Sequence, residues 1–564
     1  MKFQKLYLFA FLVPLFVLPL SAQTKNFNRA RTYDVLHYTI RTNFDRSNKK
    51  VSGETSIRFK PLKANFTSVE LDAVGLKYDF VRLENSGKNL EYRQQGEKLV
   101  VTLDRAYAPK DSISIRVGYS CQPKKGVYFV EALREKNKII RDAQIWTQGE
   151  PEEARHWFPS YDFPDDKATT EQFLTVEASE TAIANGELVE TLENANGTKT
   201  FHYKMNVPHA VYLTSFVVGK YSRIGDFYKN IPLGFYVYPG REATARKAFG
   251  KTKDMMRIYE NLTGLAFPFA KYDQTVVAGF QFGGMENITA TTHADTEIFA
   301  VDYLPGETED LVSHELAHSW FGNLVTCRNW AELWLNEGFA TFMEAAYRER
   351  AYGRSDYLRK IKEDAVQFIT EEAVNRNRHA LFNQSARPDD SIFSTTNYQK
   401  GAAVVHTLRE EIGEQAFWKA INVYLNRHKL ANVETPDLQK AMEEASGKDL
   451  DWFFNQWIYQ AGFPKLEVRQ VYDARRKRLN LTIEQTHKAD KITPAVFILP
   501  LEIEISAGDG ITGETRIEKI KIDKKTQGFS LTVSAPPTEI RIDRDMKIPL
   551  KSVRIFPLTT SEDD

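Results

Sequence analysis

His314-Glu315-Leu316-Ala317-His318-Ser319-Trp320-Phe321-Gly322 and, after an intervening turn, Trp334-Leu335-Asn336-Glu337-Gly338-Phe339 decide how this chain is read. Two histidines four apart on a helix share one face, so both imidazoles reach a single point. A nitrogen pair of this kind suits zinc, and a catalytic zinc site needs a third ligand and an open position for water. Glu337 supplies the third ligand: eighteen residues separate it from His318, and it lies on the next predicted helix. A turn near 327–329 would bring that helix back antiparallel to the first. Glu315, adjacent to His314, is placed to face a bound water as general base. Glu344 lies two helical turns past Glu337 on the same face and is a candidate partner for a ligand imidazole. One Zn2+ per chain is the implied cofactor.

Helical spacing of apolar residues continues on both sides of this stretch. It predicts helices over 242–262, 310–322, 330–350, 356–373, 400–412, 414–426, 437–445 and 450–460. Pro436 near the start of one helix, and Gly462 with Pro464 after the last, are sensible boundary residues. From Tyr33 to Arg223 the pattern is β instead. Segments such as Val35-Leu36-His37-Tyr38-Thr39-Ile40 and Leu99-Val100-Val101-Thr102-Leu103 are rich in β-branched and aromatic residues, with Gly, Asn, Asp and Pro clusters between them. After Pro464 the β pattern returns, as in Phe497-Ile498-Leu499-Pro500-Leu501-Glu502-Ile503-Glu504-Ile505. A chain of 564 residues is too long for one core. The predicted fold is multidomain α+β, with an all-β N-terminal domain over 23–223, a mostly helical catalytic domain over 224–464 and a small C-terminal β domain over 465–564.

Lys+Arg and Asp+Glu balance at 75 each, so nothing global draws the chain to nucleic acid or an anionic membrane. Only Cys121 and Cys327 are present, far apart in sequence, which excludes a disulfide framework and a Cys-rich zinc site and predicts two buried free thiols. Residues 1–22 differ from everything after them. Lys2 and Lys5 precede a 15-residue apolar run, Leu6 to Leu20, and Ser21-Ala22 follows with small side chains. That is the layout of a secretory signal peptide cleaved after Ala22. The run is short for a membrane span and is interrupted by Pro14 and Pro19. A secreted or periplasmic protein with no membrane span after cleavage is therefore expected.

The residues from His314 to Glu344 closely resemble the M1 family of zinc aminopeptidases. Further blocks resemble it in the family's order. Gly283-Gly284-Met285-Glu286-Asn287 matches its exopeptidase motif, Tyr398-Gln399-Lys400-Gly401 the segment with its catalytic tyrosine, and Thr147-Gln148-Gly149-Glu150-Pro151 begins a third stretch that runs on through Phe158-Pro159, Asp162, Pro164 and Lys167-Ala168. The resemblance implies a thermolysin-like catalytic domain between two β domains. It implies removal of the first residue from peptides with a free amino terminus, Glu315 being the base and Tyr398 donating to the oxyanion opposite the zinc. Gln148, Glu150 and Glu286 would bind the substrate's ammonium group by charge-assisted hydrogen bonds. Gly283 and Gly284 would let the backbone approach the substrate, and Phe282 would border the pocket for its first side chain.

Many relatives carry a further large helical domain at the carboxyl end. Without it, the site is expected to be more open or to be closed by a second copy of the chain in a homo-oligomer. A zinc endopeptidase built on the same metal helices would have no use for an ammonium trap. A lipid epoxide hydrolase shares the GGMEN variant, and a non-catalytic scaffold would tend to lose ligands that are all present here.

Overall fold

The computed structural model describes residues 28–136, 138–374, 378–508 and 514–561. The leader read in residues 1–22 lies outside them. The N-terminal region is β, as its β-branched and aromatic segments predict. Tyr33–Asp45 is a central strand of a seven-stranded sheet, antiparallel to Lys50–Pro61 on one side and parallel to Ala168–Glu177 on the other. Its inward residues Tyr38 and Ile40, with Ile57 and Phe59 of the neighbouring strand, are fully buried. Burying such side chains contributes about 1.5–3 kcal/mol each. A four-stranded sheet packs on this core. Its strand Gln144–Thr147 lies between Phe216–Gly219 and Val127–Val130, and it ends immediately before Gln148. Stacking of Trp146 on Tyr128 at 4.3 Å holds that strand end in place.

The helical region contains α1 (Glu242–Phe249), α2 (Thr252–Thr263), α3 (Asp295–Phe299), α4 (Pro305–Ala317), α5 (Trp334–Tyr352), α6 (Arg354–Val374), α7 (Gly401–Ile412), α8 (Glu414–His428), α9 (Thr435–Ser446) and α10 (Asp451–Trp457). The single helix predicted over 242–262 is two, separated at Gly250 and Lys251. The helix predicted over 310–322 starts earlier and ends at Ala317, with His318 in helical geometry as its cap. Pro305 in the first turn favours that start.

A five-stranded sheet lies against these helices and was not predicted as a sheet. It runs in the order Ser222–Tyr228, Ile231–Val237, Tyr272–Val277, Ala290–Ala294, Gly284–Met285. Its buried strands hide their nature behind polar residues that satisfy one another. His293 Nε2 meets Gln274 Oε1 at 3.1 Å, and Gln274 Nε2 donates to Thr252 Oγ1 at 3.0 Å. The edge strand Gly284–Met285 faces the cleft.

The C-terminal region is a pair of packed sheets, one built around Lys465–Asp473 and Arg478–Gln485, the other around Leu499–Ala507. Leu479, Leu481 and Ile483 on the first and Leu499, Leu501, Ile503 and Ile505 on the second are buried, matching the period of two. Cys121 and Cys327 are buried and unpaired. Among the described residues no helix is long and apolar enough to cross a membrane.

Candidate metal centre and substrate cleft

Helix α4 carries His314 and Glu315 and ends on His318, and α5 brings Glu337 up to both imidazoles. His314 Nε2 lies 3.3 Å and His318 Nε2 3.4 Å from Glu337 Oε2. The other ring nitrogens are engaged from behind. His314 Nδ1 meets Glu344 Oε1 at 2.8 Å, and His318 Nδ1 meets the Phe321 carbonyl at 2.9 Å. With each Nδ1–H donating outward, both Nε2 lone pairs turn to the point that Glu337 also faces. Two ring nitrogens and a carboxylate converge there, all within 4.8 Å of one another. This donor set fits a divalent zinc ion. The imidazoles hold the buried Glu337 carboxyl low, against the effect of its burial.

Glu344 is the imidazole partner the spacing suggested, and it is itself held. Its second oxygen pairs with Lys360 Nζ at 2.8 Å, and Lys360 pairs in turn with Asp364 at 2.7 Å. Lys360 has no motif around it and was missed in the sequence, since its role depends on α6 packing against α5. Lys360→Met is expected to weaken zinc binding by about 10–100-fold, read by competition with a chromophoric chelator. Unchanged affinity would show that Glu344 orients His314 without Lys360.

Two glycines of the motifs set the place of Tyr398. Helices α5 and α7 touch backbone to backbone, so that a Cβ on Gly338 would lie 2.9 Å from Gly401 Cα. That contact seats the π-helical turn Thr396–Lys400 over the metal ligands, with the Tyr398 ring stacked on His314 at 5.8 Å. Gly338→Ala is expected to cost about 1–3 kcal/mol in denaturant unfolding, and to lower activity by displacing Tyr398. Unaltered stability would mean that the helices separate freely there.

One end of the cleft is acidic. Gln148 donates to the Glu150 carbonyl at 3.2 Å and to Met285 Sδ at 3.3 Å, which turns its Oε1 into the cleft. Asn323 donates to the Glu286 carbonyl at 2.8 Å and was also missed in the sequence. Gln148 Oε1, Glu150 Oε1, Glu286 Oε1 and Glu315 Oε2 are all buried without a hydrogen-bond partner. Carboxylate oxygens of Glu150, Glu286 and Glu337 lie within 4.8 Å of one another, as do ligand atoms of Glu286, Glu315 and His318. Burial first, then mutual repulsion, pushes Glu150 well above the usual carboxylate range. Burial likewise raises Glu286 and pushes Glu315 up to about 8, against the pull of the two imidazoles. Such a cluster is stable as carboxylates only with cations beside it.

Gly284 is required by Glu315 itself, since a Cβ there would lie 2.1 Å from Glu315 Oε1. Gly283 sits at φ +78°, in the left-handed region that glycine enters freely. Phe282 stands at the rim, 38% exposed, its ring 5.2 Å from that of Phe393. The cleft these residues enclose has a volume of about 300 Å³.

Comparison with known families agrees with this architecture. Residues 34–213 match the peptidase M1 N-terminal domain, and residues 247–457 match the peptidase family M1 domain. The chain belongs to peptidase family M1. It is 29% identical over 518 residues to "Aminopeptidase 2" of Candida albicans, covering 88% of this chain and 55% of that protein. It is 34% identical over 348 residues to "Aminopeptidase N" of Streptomyces lividans, covering 59% and 40%. With "Glutamyl aminopeptidase" of Bos taurus it shares 32% identity over 353 residues, covering 59% and 36%. The chain thus spans about half, or less, of the length of these relatives.

Proposed function

We propose that this protein is a zinc-dependent aminopeptidase that removes the first residue from peptides with a free amino terminus. The observation that carries the reading is the row of bare buried acceptors on Gln148, Glu150 and Glu286 beside the two imidazoles and Glu337. An ammonium group is the ligand that such acceptors suit, and an interior peptide segment has no charge to offer them. His314, His318 and Glu337 would hold the zinc, which when bound would supply Lewis-acid polarisation of a carbonyl and a lowered water pKa.

The protein's own residues do the rest. Glu286 and Glu150 bind the ammonium, with the Gln148 amide oxygen accepting a further hydrogen bond. The edge strand Gly284–Met285 offers backbone groups to an extended substrate. Glu315 takes the proton of the attacking water at its carboxylate and returns it to the leaving amine. The Tyr398 hydroxyl donates to the oxyanion as the carbonyl becomes tetrahedral. The expected location, secreted or periplasmic, belongs to the same proposal, and a mature amino terminus at Gln23 would support it.

Release of fluorophore from a panel of aminoacyl-fluorogenic amides tests the activity. Turnover that a chelator removes and zinc restores is expected, and N-acetylation of the substrate should abolish it. Cleavage that survives acetylation would make the protein an endopeptidase.

A further inference from the structure

A second, larger cavity adjoins the catalytic cleft. It is a groove of about 1260 Å³ between the 378–394 segment of the helical region and the 490–495 loop of the C-terminal β region. The two spaces meet at the 391–394 segment. Phe393 lines the cleft, while Ser391 and Ser394 line the groove. The Tyr398 amide donates to the Ser394 carbonyl at 3.2 Å, so that segment is tied to the turn that holds Tyr398.

The groove is built rather than incidental. Arg378 ties its two sides together, donating to Glu372 at 2.6 Å, to Asp490 at 2.9 Å and to Thr493 Oγ1 at 2.8 Å. The Ala461 amide donates to the Ile492 carbonyl at 2.7 Å and His379 Nε2 meets Ser394 Oγ at 3.1 Å.

Its charge is opposite to that of the cleft. The cleft holds Glu150, Glu286, Glu315, Glu337 and Glu344 against Lys360. The groove holds Arg378, Arg387 and Lys491 against Asp389 and Asp490. Asp490 is consumed by Arg378, and Asp389 accepts from the Ser391 amide and hydroxyl. Among the described residues, Arg387 and Lys491 donate to no side chain or carbonyl. A short peptide has the complementary polarity, an ammonium at one end and a carboxylate at the other, and the field between cleft and groove orients it.

We propose that the groove receives the carboxyl-terminal end of a short peptide substrate, with Lys491 and Arg387 holding the terminal carboxylate. This rests on the aminopeptidase reading. It makes the C-terminal β region, through Lys491, part of the substrate site, and it makes short peptides with a free carboxylate the preferred class.

Matched short peptides of increasing length, each as free acid and as carboxamide, test the proposal beside an aminoacyl-fluorogenic amide that has no distal end. At low salt the acid is expected to show a kcat/KM about tenfold above that of its carboxamide at the best length. The double variant Arg387→Glu/Lys491→Glu should bring that ratio to about one. Equal rates for acid and carboxamide at every length overturn the proposal. If no substrate is cleaved, the aminopeptidase reading fails by itself. Calorimetric titration of the same peptide pairs then still decides the groove, since tighter binding of the acid supports it and equal binding overturns it.

Discussion

Glu315→Gln is expected to lower kcat on an aminoacyl-fluorogenic amide by about a thousandfold, with KM and zinc content nearly unchanged. The amide has the shape of the carboxylate and fills the same space against Gly284, whose missing Cβ leaves room for that side chain. What it lacks is a site for the proton of the attacking water. Removal of a group that acts only on the way to the transition state lowers kcat without weakening substrate binding. Steady-state kinetics combined with metal analysis of the purified variant reads both quantities. Activity above a tenth of the wild-type value would move the base to another carboxylate, with Glu286 the nearest alternative by geometry.

Glu286→Gln is expected to lower kcat/KM by about a hundredfold or more, because it removes a buried charged partner of the substrate's ammonium. The Glu286 Oε1 atom is buried with no hydrogen-bond partner in the protein, so it is left to accept from the substrate's ammonium. The loss should be confined to substrates with a free amino group. The ratio of rates between a free and an N-acetylated substrate should therefore narrow in the variant, and this ratio separates an ammonium site from general damage to the cleft. A proportional fall on both substrates would show that Glu286 serves the metal centre and not recognition.

The site was legible because its chemistry is local in sequence. His314, Glu315 and His318 lie within one helical turn and its cap, and Glu337 and Glu344 share a face of the next long helix. The β regions were legible from β-branched and aromatic segments set between turn residues, and burial alternates along them, as at Leu479, Leu481 and Ile483. The central sheet of the catalytic region was not, because Gln274, Thr275, Thr291, Thr292 and His293 are buried polar residues that read as loop in one dimension. The residues that hold the site were equally hidden. Lys360 and Asn323 act across helix and loop contacts, and neither belongs to a pattern with a period.

The sequence by itself determined that His314, His318 and Glu337 could meet, and the order of β, helical and β regions, since side-chain spacing and hydrophobic period are properties of short segments. Only the tertiary structure decided that Gly338 and Gly401 touch, that Lys360 anchors Glu344 behind His314, and that a basic groove meets an acidic cleft at the 391–394 segment. Those features join residues from sixteen to more than a hundred positions apart, and such contacts are set by packing and electrostatics in three dimensions, which no local pattern encodes.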